Sequence, residues 1–332
     1  MYLKIESCIM RTGINIIRAN IHRLSPMAGA LLLSFILGIL MLPLPGNGET
    51  DVQPEFQWPL VKGEYPDLEY ITSTFGESRI DHFHSGLDIA GNNDAIYPVA
   101  AGEIVFSRMH GDDPFHPMQG PGNYLFLHHE GDWWSGYYHL KAFDEEPRTG
   151  TVGPETVIGH SSNSGHSGGP HLHFFMSTEY GQRIMNPLVL LPPVTDIHPP
   201  VIGPLVIVST DERRTHIQHS ETQNIRLTQP YPIQIQLHDP GLEAYTRRGV
   251  YILEWQLNDE PAQTRRFDYI EFKNGDWRLH GEQAFDEVFR YNQYSLGELN
   301  WLHGGNRLHV KAVDFNGNVT EVDYFVNVDR EY

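Results

Sequence analysis

The sequence predicts a mainly β protein of two consecutive antiparallel modules, preceded by an apolar N-terminal helix that is either a signal or an anchor. Three observations carry this reading. No helical period is sustained over four turns anywhere past residue 45. Short β-type runs recur between turn signals on both sides of a proline cluster. And at 332 residues the chain is too long for one typical domain and suits two.

The first element is the stretch Met27–Leu42, which carries no charge and is closed by Pro43-Leu-Pro45. Its length lies between a signal-peptide core and a full membrane span of roughly 20 residues. Lys4, Arg11, Arg18 and Arg23 precede it, whereas Glu49, Asp51 and Glu55 follow. By the positive-inside rule the N-terminus stays in the cytoplasm and the rest is exported to the cell envelope, as periplasm or cell surface. A buried core helix fits less well, because the stretch has no polar face. Residues 1–48 are therefore expected to be a signal peptide or membrane anchor. Cleavage near Gly46-Asn-Gly48 and retention both fit.

Residues 49–192 form the first module. They are rich in glycine and in short β runs such as Gly102-Glu-Ile-Val-Phe106 and Asn123-Tyr-Leu-Phe-Leu-His128. Glu130-Gly-Asp132 reads as a turn, and Trp133 to Leu140 as the return strand of a hairpin. Residues 193–204 read as a proline-rich linker or an entry strand, around Pro193, Pro199-Pro200 and Pro204. Beyond it, Tyr231–Leu237 and Tyr251–Leu257 alternate apolar and polar residues. Arg307–Val313 and Thr320–Val328 flank Asp314-Phe-Asn-Gly-Asn318, a strong hairpin turn. Strands at this spacing predict an immunoglobulin-like β-sandwich for residues 205–332.

Composition narrows the chemistry. The formal charge is −19, and four of the 23 cations but only one of the 42 anions precede Met27. So acidic a body argues against nucleic acid or an anionic membrane surface as partner, and fits equally a protein kept soluble after export. The single cysteine, Cys8, lies in the basic N-terminal region. The exported body therefore has no disulfide, thiol nucleophile or cysteine-ligated zinc. Histidine, with 19 copies, is the abundant soft ligand.

Two histidine motifs stand out: His84-Ser-Gly-Leu-Asp88 and Gly-Pro-His171-Leu-His173. Ser85-Gly86 is poor helix material, so residues 84, 86 and 88 read as extended chain facing one side. Gly86 is then expected to keep the space of an ion clear of a side chain. His171 and His173 share one strand face, with Leu172 toward the core. Spacing alone is weak, because His128/Asp132 and His82/His84 repeat these intervals by chance and satisfied structural histidines would look the same. A His/Asp/His set leaves one position of a zinc ion open, which makes such a site hydrolytic rather than structural.

Further blocks accompany these motifs in order: Phe75-Gly-Glu, Pro98-Val-Ala-Ala-Gly102, Gly122-Asn-Tyr, His128, Tyr137-Tyr-His-Leu140, Val157-Ile-Gly, Asn163-Ser-Gly165 and Gly169-Pro-His-Leu-His-Phe174. With them, residues from about Pro59 to Pro187 resemble the lysostaphin-like (LytM-type) zinc endopeptidases that cut peptidoglycan peptides. The resemblance implies an antiparallel β-sheet peptidase domain with one Zn²⁺ held by His84, Asp88 and His173. It implies His139 and His171 as the catalytic histidines that are not ligands. Metal-activated water would attack the peptide bond directly, with no acyl-enzyme. His171 is expected to take the water's proton, and His139 to hold the developing oxyanion or protonate the leaving amine.

Two departures from the family pattern stand out. Phe175 replaces a common glutamate after the His-Leu-His-Phe run, and Met109–Pro121, with His110 and His116, is longer than a compact member needs. The latter fits a loop over the cleft or an ordinary surface insertion. Tyr97, Trp133, Trp134, Tyr137 and Tyr138 fit a peptide groove or, at alternating positions, the core. Gly165, Gly168 and Gly169 fit close substrate approach or a turn. The function expected is hydrolysis of peptidoglycan peptides in cell-wall remodelling. The C-terminal module is expected to bind an envelope protein partner or the wall, or to control access to the cleft. The alternatives are a non-catalytic LytM-like regulator that activates another wall hydrolase, and a peptidase of glycine-rich exported proteins.

Overall fold

The computed structural model describes residues 54–61, 68–112, 120–143, 145–241 and 247–331. The apolar segment and the rest of residues 1–48 lie outside the described residues, as does His116. The described chain is mainly β. Its first half comprises β1 (Ile71–Ser73), β2 (Leu87–Ala90), β3 (Ala95–Ile96), β4 (Gly102–Arg108), β5 (Asn123–His129), β6 (Trp133–Leu140), β7 (Gly150–Val152), β8 (Gly159–His160), β9 (His171–Thr178) and β10 (Arg183–Met185). The expected hairpin is β5–β6, and its turn residues Gly131 and Asp132 both have positive φ.

Strand β9 organises this half. One edge pairs with β6; the other is shared, with β2 along residues 171–174 and β10 along residues 176–178. Leu172, Phe174 and Met176 are fully buried on one face with Leu87, Leu125, Leu127 and Tyr137. His171, His173 and Phe175 therefore face the other way, since successive side chains alternate across a strand.

Residues 193–200 have no regular structure, and the second half follows as β11 (Val201–Val208), β12 (Arg214–Ile217), β13 (Gln223–Leu227), β14 (Pro232–Pro240), β15 (Arg247–Arg248), β16 (Ile252–Leu257), β17 (Gln263–Arg266), β18 (Tyr269–Lys273), β19 (Asp276–Leu279), β20 (Gln283–Ala284), β21 (Phe289–Arg290), β22 (Gln293–Glu298), β23 (Gly304–Val313) and β24 (Val319–Arg330). One sheet runs β12-β11-β14-β22-β21, with β15 on β14; the other runs β13-β24-β23-β16-β17. Alternate residues from both, including Ile233, Ile235, Leu253, Leu308, Val310 and Val326, meet in a shared core. The expected hairpin at 314–318 joins β23 to β24. Its turn is fixed by Asp314 Oδ1, which accepts from the Asn316 and Asn318 amides at 2.8 Å each.

The two halves are joined by more than their connection. Strand β18 pairs with β10, so β18, β19 and β20 continue the sheet of the first half. Phe75 and Phe83 of the first half are buried in the core of the second. Gly76, at φ 81°, has no room for a Cβ, which would lie 2.6 Å from the Phe267 ring.

A buried polar group sits at this junction. Arg248 Nη2 donates to Asp196 Oδ2 at 3.2 Å and lies 3.1 Å from Asp239 Oδ2, while Nη1 donates to the Leu68 carbonyl at 3.4 Å. All three charged side chains are almost wholly buried. Asp239 Oδ1 has no partner, and Asp196 and Asp314 stand close by. Burial, reinforced by those two carboxylates and opposed by Arg248, pushes the Asp239 carboxyl up to about 7. The folded protein thus holds this proton more tightly than the unfolded chain. The stabilisation it brings is complete below pH ~4 and is lost as the pH rises to about 7. Asp239→Asn, which mimics the protonated side chain, is expected to gain in melting temperature relative to wild type between pH 5 and pH 8. A difference that stays flat over this range would mean that Asp239 is ionised when folded.

Candidate metal centre

Asp88 and His173 meet because they are direct register partners on antiparallel β2 and β9. His84 arrives from the turn before β2. Its Nε2 lies 3.1 Å from Asp88 Oδ1 and 3.1 Å from His173 Nδ1, and His173 Nδ1 is 2.8 Å from Asp88 Oδ1. The three expected ligands thus present one atom each to a common point.

The tautomers give this triangle its meaning. His84 Nδ1–H donates to the buried Thr74 carbonyl at 2.8 Å, which turns its Nε2 toward the carboxylate. Burial pushes His173 down to about 4 despite Asp88, so that ring is neutral at pH 7. Burial also opposes ionisation of Asp88, but His84 and the hydrogen bonds of three surrounding imidazoles hold the carboxyl well below its usual range. A carboxylate and two imidazole nitrogens converging in this way suit a divalent cation. This N₂O donor set is one that catalytic zinc accepts.

The two other histidines flank the triangle. His139 ends strand β6 at φ 62°, a conformation few non-glycine residues adopt, and its amide donates to the Pro121 carbonyl at 2.9 Å. Its Nδ1–H donates to the Ser164 carbonyl at 2.7 Å. Burial, helped by His171, pushes its pKa down to about 4. His171 Nδ1–H donates to the Gly169 carbonyl at 2.8 Å, and its Nε2 is 3.5 Å from Asp88 Oδ1. Burial favours the neutral ring, but Asp88 outweighs it and raises the His171 pKa. The two rings lie 4.7 Å apart, each with Nε2 left for chemistry.

The other sequence candidates separate cleanly. His128 packs on Trp134 and His82 pairs with exposed Asp81; both are away from the triangle. Tyr137 is core, and its hydroxyl accepts from the Val99 amide, whereas Tyr138 stacks on His173 at 5.4 Å. Trp133 packs on Phe56. Gly165, at φ 79°, is a packing residue against the backbone of Gly122, while Gly168 and Gly169 have open space around them. Phe175 lies over Gly136 and against Phe126 and Tyr138, an altered packing that leaves the triangle intact.

Gly86 is needed for a different reason from the one expected. A Cβ there would lie 2.2 Å from the Phe174 carbonyl oxygen, so it is the backbone of β9, not an ion, that requires glycine. Gly86→Ala is expected to prise β2 from β9, separating Asp88 from His173. Denaturant unfolding should show a loss of about 1–3 kcal/mol or more, and a zinc titration a weakened site.

Sequence reasoning missed the groups that hold the ligands. Thr74 fixes the His84 tautomer, and Arg79 Nη2 donates to Asp88 Oδ2 at 3.1 Å. Both flank the Phe75-Gly-Glu block, whose presence was the available signal.

Comparison with known proteins follows this geometry. Residues 82–187 match the model of peptidase family M23. The chain carries an M23 peptidase domain. A second family model, which has no functional description, spans residues 199–329. No curated protein sequence matches. Among solved structures, the catalytic domain of the prophage-encoded M23 protein EnpA from Enterococcus faecalis is 21% identical, over 40% of this chain and 95% of that one, at a TM-score of 0.33. The catalytic domain of lysostaphin from Staphylococcus simulans is 23% identical over 35% and 86%, at 0.30. The SpoIIIAH–SpoIIQ complex contributes a chain 20% identical over 40% and 98%, at 0.32. All five expected site residues lie within the M23 domain.

Proposed function

We propose that this chain is a zinc-dependent endopeptidase that hydrolyses peptidoglycan peptides, exported to the cell envelope ahead of a second module of immunoglobulin-like type. The observation that carries it is the convergence of His84 Nε2, Asp88 Oδ1 and His173 Nδ1 within 3.1 Å of one another, beside two imidazoles that are not part of the triangle. The acidic, cysteine-free body supports export and a substrate other than nucleic acid. The proline-rich connection and the two C-terminal sheets with a common core support the second-module reading.

Bound zinc would supply a Lewis acid that polarises the scissile carbonyl and activates water near neutral pH. The chain's own residues do the rest. His84 and His173 would hold the ion through ring nitrogens, and Asp88 would supply the one negative charge. With Nδ1–H committed to Ser164, a neutral His139 can only accept at Nε2. It therefore takes the proton from water and, once charged, can deliver it to the leaving amine. His171, its Nδ1–H likewise committed to the Gly169 carbonyl and its ring 4.7 Å from that of His139, can, once protonated, donate from Nε2 toward a developing oxyanion. Sequence reasoning assigned the water's proton to His171 and left His139 to hold the oxyanion or protonate the leaving amine, so the two readings share that last role. Tyr138, Phe126 and Phe175 form an aromatic floor beside the site against which a peptide can lie.

The test is digestion of purified sacculi by the full chain. Muropeptide release that stops with a chelator and returns with zinc is expected. His139→Ala and His171→Ala should each lose about 10²–10⁴-fold in rate while still binding zinc. Bound zinc with no release would move the reading to the non-catalytic regulator.

A further inference from the structure

The partners of the metal ligands trace back to the second module. The Thr74 carbonyl accepts from His84 Nδ1–H, and Arg79 Nη2 donates to Asp88 Oδ2; both residues are held by Glu77. Glu77 Oε1 accepts from the Thr74 amide at 2.5 Å and the Thr74 hydroxyl at 2.8 Å. Its Oε2 accepts from Ser73 at 2.5 Å and Arg79 Nη1 at 3.2 Å. The remaining contact comes from 172 residues away: the Gly249 amide donates to Glu77 Oε1 at 3.1 Å and to the Thr74 hydroxyl at 2.8 Å. Gly249 is itself fixed on both sides. Arg248 is clasped by Asp196 and Asp239, and the Val250 amide donates to the Tyr294 hydroxyl at 3.2 Å.

We propose that Glu77 is a positioning residue of the metal centre, and that the Arg248–Gly249 segment of the second module sets the zinc affinity of the first module through it. This rests on the reading of His84, Asp88 and His173 as zinc ligands. The physical case is one of preorganisation. His84 binds a cation only while Thr74 keeps its proton on Nδ1, and Asp88 offers Oδ1 while Arg79 occupies Oδ2. One carboxylate enforces both conditions, and the second module supplies a donor to it. Outer groups of this kind typically change metal affinity 10–100-fold when lost. The second module is then a structural part of the centre, whatever else it binds.

The experiment is zinc affinity of the full chain by competition with a chromogenic chelator, together with melting temperatures with and without zinc. Glu77→Ala is expected to weaken zinc about 10–100-fold. Glu77→Gln keeps an oxygen for Thr74 and Gly249 but loses the charge facing Arg79, so it should recover part of the loss. Gly249→Ala touches no ligand. Its Cβ would lie 3.1 Å from Glu77 Cγ and 3.2 Å from the Thr74 hydroxyl, so a several-fold weakening is expected from the second module alone. A purely structural role would lower the melting temperature of both forms equally and leave zinc affinity unmoved. Zinc affinities of Glu77→Ala and Gly249→Ala within twofold of wild type would overturn the inference. If Glu77→Ala does not fold, Gly249→Ala decides. Failure of the wild type to bind zinc, or wild-type binding by His173→Ala, would instead overturn the ligand reading.

Discussion

Asp88→Asn is expected to abolish the zinc-dependent rise in melting temperature and to cut hydrolysis at least ~10³-fold. The substitution keeps the shape of the side chain and leaves an oxygen that can still accept from His173. What it removes is the one negative charge among the three donors, and with it the partner of Arg79. Its effect on affinity should exceed the 10–100-fold that follows loss of an outer partner, because the lost interaction is direct. Mass action makes the readout clear. A ligand at 100 times its dissociation constant adds about 2.7 kcal/mol of stability, and one no longer bound adds nothing. Calorimetry with and without zinc should show a shift in wild type and none in Asp88→Asn. A variant that kept the shift would remove Asp88 from the ligand set.

Arg248→Met should give the largest loss of stability, without touching the metal ligands. The guanidinium lies between two buried carboxylates and also donates to the carbonyls of Leu68 and Pro240. Methionine fills much of the volume but leaves Asp196 and Asp239 uncompensated. Breaking a buried pair from one side costs about 3–5 kcal/mol, which for a body of this size lowers the melting temperature by on the order of 10 °C. The loss should be larger at pH 8 than at pH 5, since burial already pushes Asp239 up to about 7 and its protonation at the lower pH relieves part of the stranded charge. Replacing Arg248 and both aspartates with apolar residues of matching volume should restore much of the stability. Loss of only a degree or two would show that the cluster remains hydrated and the junction weak.

The candidate site was legible in the sequence through motifs that resemble a known family; spacing alone, which His128/Asp132 and His82/His84 repeat by chance, did not single out the five residues. His171, Leu172 and His173 alternate as a half-buried strand must, and Asp88 falls opposite His173 once β2 and β9 pair. The strands at 123–140 and 304–330 were equally legible, since Gly131 and Asp314 mark tight turns between alternating runs. Gly86 was read wrongly because its constraint comes from the Phe174 carbonyl, a backbone group 88 residues away that no local pattern reveals. Glu77 and Gly249, 172 residues apart, and Asp196 and Arg248, 52 apart, are likewise brought together only by the fold. The pairing of β18 with β10 was hidden for the same reason: Tyr269–Lys273 reads as a strand, but its partner is fixed only by the packed halves.

That pairing bears on any attempt to use the half that carries the M23 domain by itself. A chain cut at the proline cluster would leave residues 183–185 paired only with β9, as an open sheet edge, and bring Phe75 and Phe83 into water. Such a fragment would offer both an open seam and a greasy surface to other copies, and these are the usual beginnings of aggregation. The natural unit for transplantation into another protein is therefore everything from about residue 54 onward, carried across whole.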